Sequence, residues 1–63
     1  MPVATLPEKY VIQQLGTDSY WGLFPGEATH MWGPRVNATV YYSLKAASLE
    51  ASQIRGRPVP LYD

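Results

Sequence analysis

The stretch that decides the fold is Val40-Tyr41-Tyr42-Ser43-Leu44-Lys45-Ala46-Ala47-Ser48-Leu49-Glu50-Ala51-Ser52-Gln53-Ile54-Arg55-Gly56-Arg57-Pro58. It opens with β-branched and aromatic residues, which favour a strand. Ser43 then offers a hydroxyl that can accept a hydrogen bond from a free amide in the first turn of a helix. Gly56 suits the left-handed position after a helix, and Pro58 cannot continue one. The stretch therefore predicts a strand, a capped helix and a firm stop.

The predicted helix has one apolar stripe. At 100° per residue, the stripe consists of Leu44, Ala47, Ala51 and Ile54. The two alanines let the helix axis approach a sheet closely. Leu49 falls off the stripe, so we expect its side chain to be exposed or to make a second contact.

The rest of the chain adds strands on both sides of this helix. Residues 9–15 and 20–24 predict a hairpin around the turn cluster at 16–19, and residues 35–42 predict a third strand by alternation. Gly22 in mid-strand predicts a bulge or close packing. Residues 27–34, which include Met31 and Trp32, are expected to form an irregular loop. Residues 58–62 carry two prolines, which restrict them to an edge strand or an extended segment.

These elements predict an α+β fold, a small antiparallel sheet of three to four strands with one α-helix on one face, in the order β-β-β-α-β. We expect one small domain spanning residues 1–63, in which residues 1–7, with two prolines, form a flexible arm.

The composition excludes the disulfides and metal sites that usually stabilise so small a chain. The sequence has no cysteine and one histidine, His30, so a disulfide and a metal cluster are not expected. We predict no cofactor. The first residues carry neither a basic segment nor a long apolar run, so we expect a cytoplasmic protein without a membrane span.

The titratable residues do not predict catalysis. General acid–base chemistry needs two groups held together with their pKa values pushed apart. The acidic residues are scattered over turns, the helix surface and the terminus, at Glu8, Asp18, Glu27, Glu50 and Asp63. We therefore expect a protein that is not an enzyme.

The arginines form the second group of candidate site residues. Arg55 and Arg57, with Arg35 near them, would make an anion-binding spot, because a guanidinium group offers two parallel donors to a phosphate or carboxylate. The alternative is that positive charge only complements the helix C-terminus. The net charge of zero, from five basic and five acidic residues, disfavours nonspecific binding to nucleic acid.

The aromatic residues exceed what one short helix can cover, so we expect an open face. Exposed aromatic groups mark interaction sites, and tryptophan, tyrosine and arginine dominate binding hot spots. The predicted partner-binding residues are Trp21, Trp32, Tyr41, Tyr20 and Met31. The alternative is that the loop, the arm and the C-terminal segment fold over this face and the aromatic residues belong to the core.

The series Trp32…Ala38-Thr39-Val40-Tyr41-Tyr42-Ser43…Ala46-Ala47…Ile54…Pro58-Val59 resembles a pattern found in small orphan proteins of phages and prophages. Anti-CRISPR and host-takeover proteins are similar in size. The resemblance implies a non-enzymatic interaction protein that binds a larger host protein or assembly and blocks it sterically. Two alternatives remain, a weak nucleic-acid-binding module that uses arginines and stacking aromatic rings, and a homo-oligomeric structural or assembly subunit.

Overall fold

The computed structural model describes residues 9–61, and the predicted arm at residues 1–7 lies outside them. The elements are β1 (Lys9–Gln14), β2 (Tyr20–Gly22), β3 (Met31–Gly33), a 3-10 turn (Arg35–Asn37), helix α1 (Leu44–Ile54) and β4 (Gly56–Leu61). The strands pair antiparallel in the order β3-β2-β1-β4, and α1 packs against β1 and β4. The α+β class and the order β-β-β-α-β are confirmed. No helix within residues 9–61 is long and apolar enough to cross a membrane.

The register of the strands assigns side chains to two faces, because successive residues of a strand point to opposite sides. One side, the Ile12 face, carries Tyr10, Ile12, Trp21 and Trp32. The other side, the Gln13 face, carries Val11, Gln13, Tyr20 and Arg57. Val11 and Ile12 are both buried, at 2% and 0% exposure. Both faces of β1 are therefore covered at its centre, so the sheet has no bare face there.

Helix α1 follows most of the predicted stripe. The Ser43 hydroxyl accepts a hydrogen bond from the Ala46 amide at 3.0 Å, which confirms the N-cap. Ala47 and Ala51 are buried, whereas Leu49 is 58% exposed, as expected for a residue off the stripe. Leu44 is 52% exposed, so the start of the predicted stripe is wrong. The first helical residue lies too near the end of the helix for the sheet to cover its side chain.

The predicted role of Gly56 as the left-handed residue after the helix is wrong. Arg55 takes that conformation, with φ 59°, and Gly56 is the first residue of β4. A Cβ atom on Gly56 would overlap Ile12 Cγ2 and would lie 3.1 Å from Trp32 Cη2. The glycine is therefore needed for close packing between side chains and the β4 backbone, not for its backbone angles. The last strand begins two residues earlier than predicted.

The predicted third strand at residues 35–42 is also wrong. The third strand is Met31–Gly33, inside the segment expected to be a loop, and residues 35–37 form a 3-10 turn. After that turn the chain makes only isolated bridges to the sheet, from Ala38 and from Tyr41. Alternation of apolar and polar residues suited a strand, but Pro34 starts a turn that leaves Val36 88% exposed. Only three residues before Pro34 can therefore pair with β2.

Gly22 confirms the prediction of close packing inside a strand. Its missing side chain makes room for backbone, because a Cβ atom there would overlap the carbonyl oxygen of Asn37 and would lie 2.9 Å from the Cα of Ala38. The Thr39 amide also donates to the Trp21 carbonyl at 2.9 Å. Beyond this point Tyr41 replaces β2 as the neighbour of β1, exchanging two 2.7 Å hydrogen bonds with Tyr10.

The two prolines of β4 lie on the free edge of the sheet, as predicted for an edge strand. The Tyr10 and Gln14 amides donate away from β4, to Tyr41 and Ser19. In an antiparallel pair the backbone groups of alternate residues point to alternate sides, so the odd-numbered residues of β1 bond to β4. The register then places Pro58 and Pro60 at positions whose backbone nitrogen faces outward. The outer edge of β4 therefore lacks two amide donors, which disfavours the addition of another strand.

Candidate functional site

Two tryptophans and a histidine form an aromatic cluster on the Ile12 face. Trp21 and Trp32 are directly paired across β2 and β3, with ring centroids 5.0 Å apart and planes tilted by 60°. His30 stacks on Trp21, with centroids 5.8 Å apart and planes 22° apart. Both indoles are half-buried, and His30 is exposed. The cluster brings together two of the five predicted partner-binding residues.

Trp32 contributes to packing as well as to this cluster. Its Cη2 atom lies over Gly56, beside the Cγ2 methyl group of Ile12. The indole of a short outer strand therefore reaches the fully buried centre of the sheet. Removing this ring would open the core, whereas Trp21 has His30 and Trp32 as its ring neighbours.

The other predicted partner-binding residues lie elsewhere. Tyr20 and Met31 flank Trp21 and Trp32 in sequence, so their side chains point to the opposite, Gln13 face. Tyr41 lies on the bridging segment beside Tyr10. The five residues therefore do not form one continuous surface.

The phenol of Tyr41 has a raised proton affinity. Burial of the phenol raises its pKa, and the nearby carboxylate of Glu50 on α1 raises the pKa further. Both causes favour the neutral phenol. This side chain therefore stays uncharged at neutral pH.

The Gln13 face carries one row of residues across all four strands, with side chains on three of them. Gln13 is in register with Tyr20 on one side and with Arg57 on the other, and Tyr20 is in register with Gly33. Arg35 adds a second cation, because its guanidinium carbon lies 5.6 Å from the centroid of the Tyr20 ring. Two of the three predicted anion-binding residues therefore lie on the same face, at the two ends of the Tyr20–Gln13 pair.

Arg57 is held by a short chain of hydrogen bonds. Its Nη2 atom donates to Gln13 Oε1 at 3.0 Å, and Gln13 Nε2 donates to the Thr17 carbonyl at 2.6 Å. Next to this chain lies an open cleft of about 250 Å³, lined by Gln13, Gln14, Gly16, Thr17, Asp18 and Arg57. The hairpin turn thus fixes the side chain that orients the arginine.

Arg55, the third predicted anion-binding residue, has a different position. It caps the C-terminus of α1 and its carbonyl accepts from the Leu15 amide at 3.3 Å. Sequence reasoning missed Gln13 and Thr17, which position Arg57. A glutamine in a β-strand gives no signal of this role, because the role depends on the register of two strands that are 44 residues apart at this contact.

Aliphatic side chains fill the buried core of the described residues. The fully buried hydrophobic residues are all aliphatic, namely Val11, Ile12, Ala47 and Ala51. All seven aromatic residues of the described range are at least partly exposed. Aromatic side chains bury more area than any others and would stabilise a small core most. Here every ring keeps some exposed surface, including that of Trp32, which reaches the buried centre of the sheet.

Several large apolar side chains beyond the aromatic cluster are also in solvent. Tyr42 is 74% exposed, and the remaining members of this set are Leu15, Leu23, Val36, Leu44 and Leu49.

Within residues 9–61, no three histidine, aspartate or glutamate side chains come together as a metal site would require. The chain matches no known protein family, and no curated protein or solved structure is significantly similar to it.

Proposed function

We propose that this protein is a non-enzymatic interaction module that binds a larger protein or assembly, and that it acts as a phage-derived inhibitor by sterically blocking that partner. The observation that carries the proposal is the position of the aromatic residues. All seven aromatic residues in the described range keep exposed surface, and the buried core contains no side chain larger than isoleucine. A partner that covers these rings adds apolar burial to the small amount that a chain of 63 residues achieves by folding.

The two edges of the sheet disfavour binding by strand addition. The outer edge of β4 lacks amide donors at Pro58 and Pro60, and β3 offers only three residues to an added strand. Binding by strand addition depends on main-chain hydrogen bonds along a free edge. Recognition by side chains on the faces of the sheet is therefore the mode that this fold favours.

Affinity capture from a host lysate tests the proposal, with the purified protein as bait. Tyr20→Ala, Trp21→Ala and Tyr41→Ala probe the Gln13 face, the Ile12 face and the bridging segment separately. Leu49→Ala is the matched control, since it also removes an apolar side chain, one that points away from the sheet on α1.

We expect at least one of the three aromatic variants to lose the captured partner while its circular dichroism spectrum and melting temperature stay close to those of the unmodified protein. Two results oppose the proposal. One is that the unmodified protein captures nothing. The other is that all three folded variants capture the same partner as fully as Leu49→Ala does. Sedimentation velocity at several concentrations tests the homo-oligomer alternative, because self-association would cover the same rings.

A further inference from the structure

We infer that the Gln13 face is the contact surface of this module and that it binds an acidic segment of a partner protein through Arg35 and Arg57. The inference rests on the proposed function and specifies the chemistry of the partner. Its basis is a pair of cations on one face, each held by a neutral neighbour and neither ion-paired to a carboxylate within residues 9–61.

Each guanidinium group is positioned by a neutral neighbour. Arg35 lies over the Tyr20 ring at 5.6 Å, and Arg57 donates to Gln13 Oε1 at 3.0 Å. No carboxylate within residues 9–61 forms an ion pair with either group. A guanidinium group fixed in this way loses little conformational entropy when it forms two parallel hydrogen bonds to a carboxylate.

The two cations belong to opposite ends of one row of residues. Tyr20, whose ring Arg35 contacts, and Arg57 belong to strands on either side of β1, and neighbouring strands lie about 4.8 Å apart. The backbones of Tyr20 and Arg57 are therefore roughly 10 Å apart, which places the two arginines to meet separate carboxylates of one peptide segment.

Two features favour a protein over a nucleic acid on this face. The Tyr20 ring has Arg35 over it, so that ring face is not open for a base to stack on. Two arginines are also few for a backbone that binding proteins usually neutralise at about 6–10 phosphates.

Fluorescence anisotropy with a fluorescein-labelled peptide of ten glutamates tests the inference at low and at physiological salt. A peptide of ten glutamines and an oligonucleotide of twenty thymidines are the comparison probes. The variants are Arg35→Gln and Arg57→Gln. Lys45→Gln is the matched control, because it removes the same charge from an exposed position on α1.

We expect the glutamate peptide to bind, the glutamine peptide not to bind, and each arginine variant to lose about tenfold in affinity, as for loss of a charge-assisted hydrogen bond. Lys45→Gln should change the affinity less than twofold. The inference is overturned if the glutamate peptide does not bind, or if Lys45→Gln weakens binding as much as the arginine variants do. Tighter binding of the oligonucleotide at the same salt concentration would also overturn it and would assign the face to phosphate.

Capture from lysate separates this inference from the function on which it rests. If Arg35→Gln and Arg57→Gln still capture the partner that Trp21→Ala loses, the interaction module stands and the acidic contact on the Gln13 face is wrong. If the unmodified protein captures nothing yet binds the glutamate peptide in the predicted pattern, the face is an anion-binding site and the blocking function fails.

Discussion

Gly22→Ala should be among the most damaging single-methyl additions in the described part of the chain. The new Cβ atom would overlap the Asn37 carbonyl and would approach the Cα of Ala38 to 2.9 Å. These atoms belong to backbone, so no side-chain rotation can relieve the contact. The segment from Asn37 onward would have to move away from β2, and the hydrogen bond from the Thr39 amide to the Trp21 carbonyl would lengthen or break.

The expected cost can be estimated from these contacts. Overpacking costs about 1–3 kcal/mol, and loss of one backbone hydrogen bond costs about 1 kcal/mol. Alanine recovers about 0.5–1 kcal/mol of the backbone entropy that glycine loses in a strand. The net destabilisation is about 1–3.5 kcal/mol, against a total stability of about 3–9 kcal/mol for a chain of 63 residues. The melting temperature should fall by roughly 4–28 °C.

Urea unfolding followed by tryptophan fluorescence measures this cost directly, because Trp21 adjoins the substituted residue. Gly33→Ala is the matched control. Its Cβ atom would also overlap a neighbour, but that neighbour is the far end of the Phe24 ring, which can rotate away at a cost of about 1 kcal/mol. The reasoning is refuted if Gly22→Ala lies within about 0.5 kcal/mol of the unmodified protein, or if Gly33→Ala is the more destabilising of the two.

Three further predictions concern helix α1, the Tyr41 phenol and the outer edge of β4. Ile54→Ala should lower the free energy of unfolding in urea by about 2 kcal/mol and Leu49→Ala by less than about 0.5 kcal/mol, because Leu49 is largely exposed and Ile54 is not. Equal costs would show that the side of α1 assigned to the sheet is wrong. Glu50→Gln should lower the pKa of Tyr41, measured by ultraviolet titration of the phenolate. Because the folded state keeps a proton that the unfolded state releases above a pKa of about 10, stability should fall as the pH rises past that value, and it should fall less in Glu50→Gln. Pro58→Val should restore an outward amide on β4 and increase self-association in sedimentation velocity; an unchanged monomer would show that the proline does not protect the edge.

The sequence predicted the elements that depend on local chemistry. The Ser43 cap, the turn at Gly16 and the edge position of the proline-containing strand each depend on one or two residues whose backbone preferences are strong. The third strand could not be predicted in this way. Residues 35–42 alternate as a strand does, but the segment is used instead to pack its backbone on Gly22. That choice depends on a contact between elements and leaves no local signal.

For the candidate site too, the sequence predicts the residue types but not the contacts between elements. Residue type predicted Tyr20, Arg35 and Arg57 as candidate binding groups, because tyrosine and arginine are frequent in binding hot spots. Their arrangement depends on the registers of β1 with β2 and with β4, which make Gln13 the common neighbour. A shift of either register by one residue would move part of the row to the other face. The composition of the surface can therefore be predicted from sequence, whereas its continuity cannot.

The two edge strands of the sheet bear on the proposed mode of binding. An inhibitor that must remain available for a partner needs exposed rings and cations, and those groups also favour self-association when the net charge is zero. Strand addition between copies is opposed by Pro58 and Pro60 on one edge and by the shortness of β3 on the other. Arg35 and Arg57 on one face also repel the same face of a second copy. These features leave a partner with carboxylates opposite the two arginines as the complementary occupant of the Gln13 face.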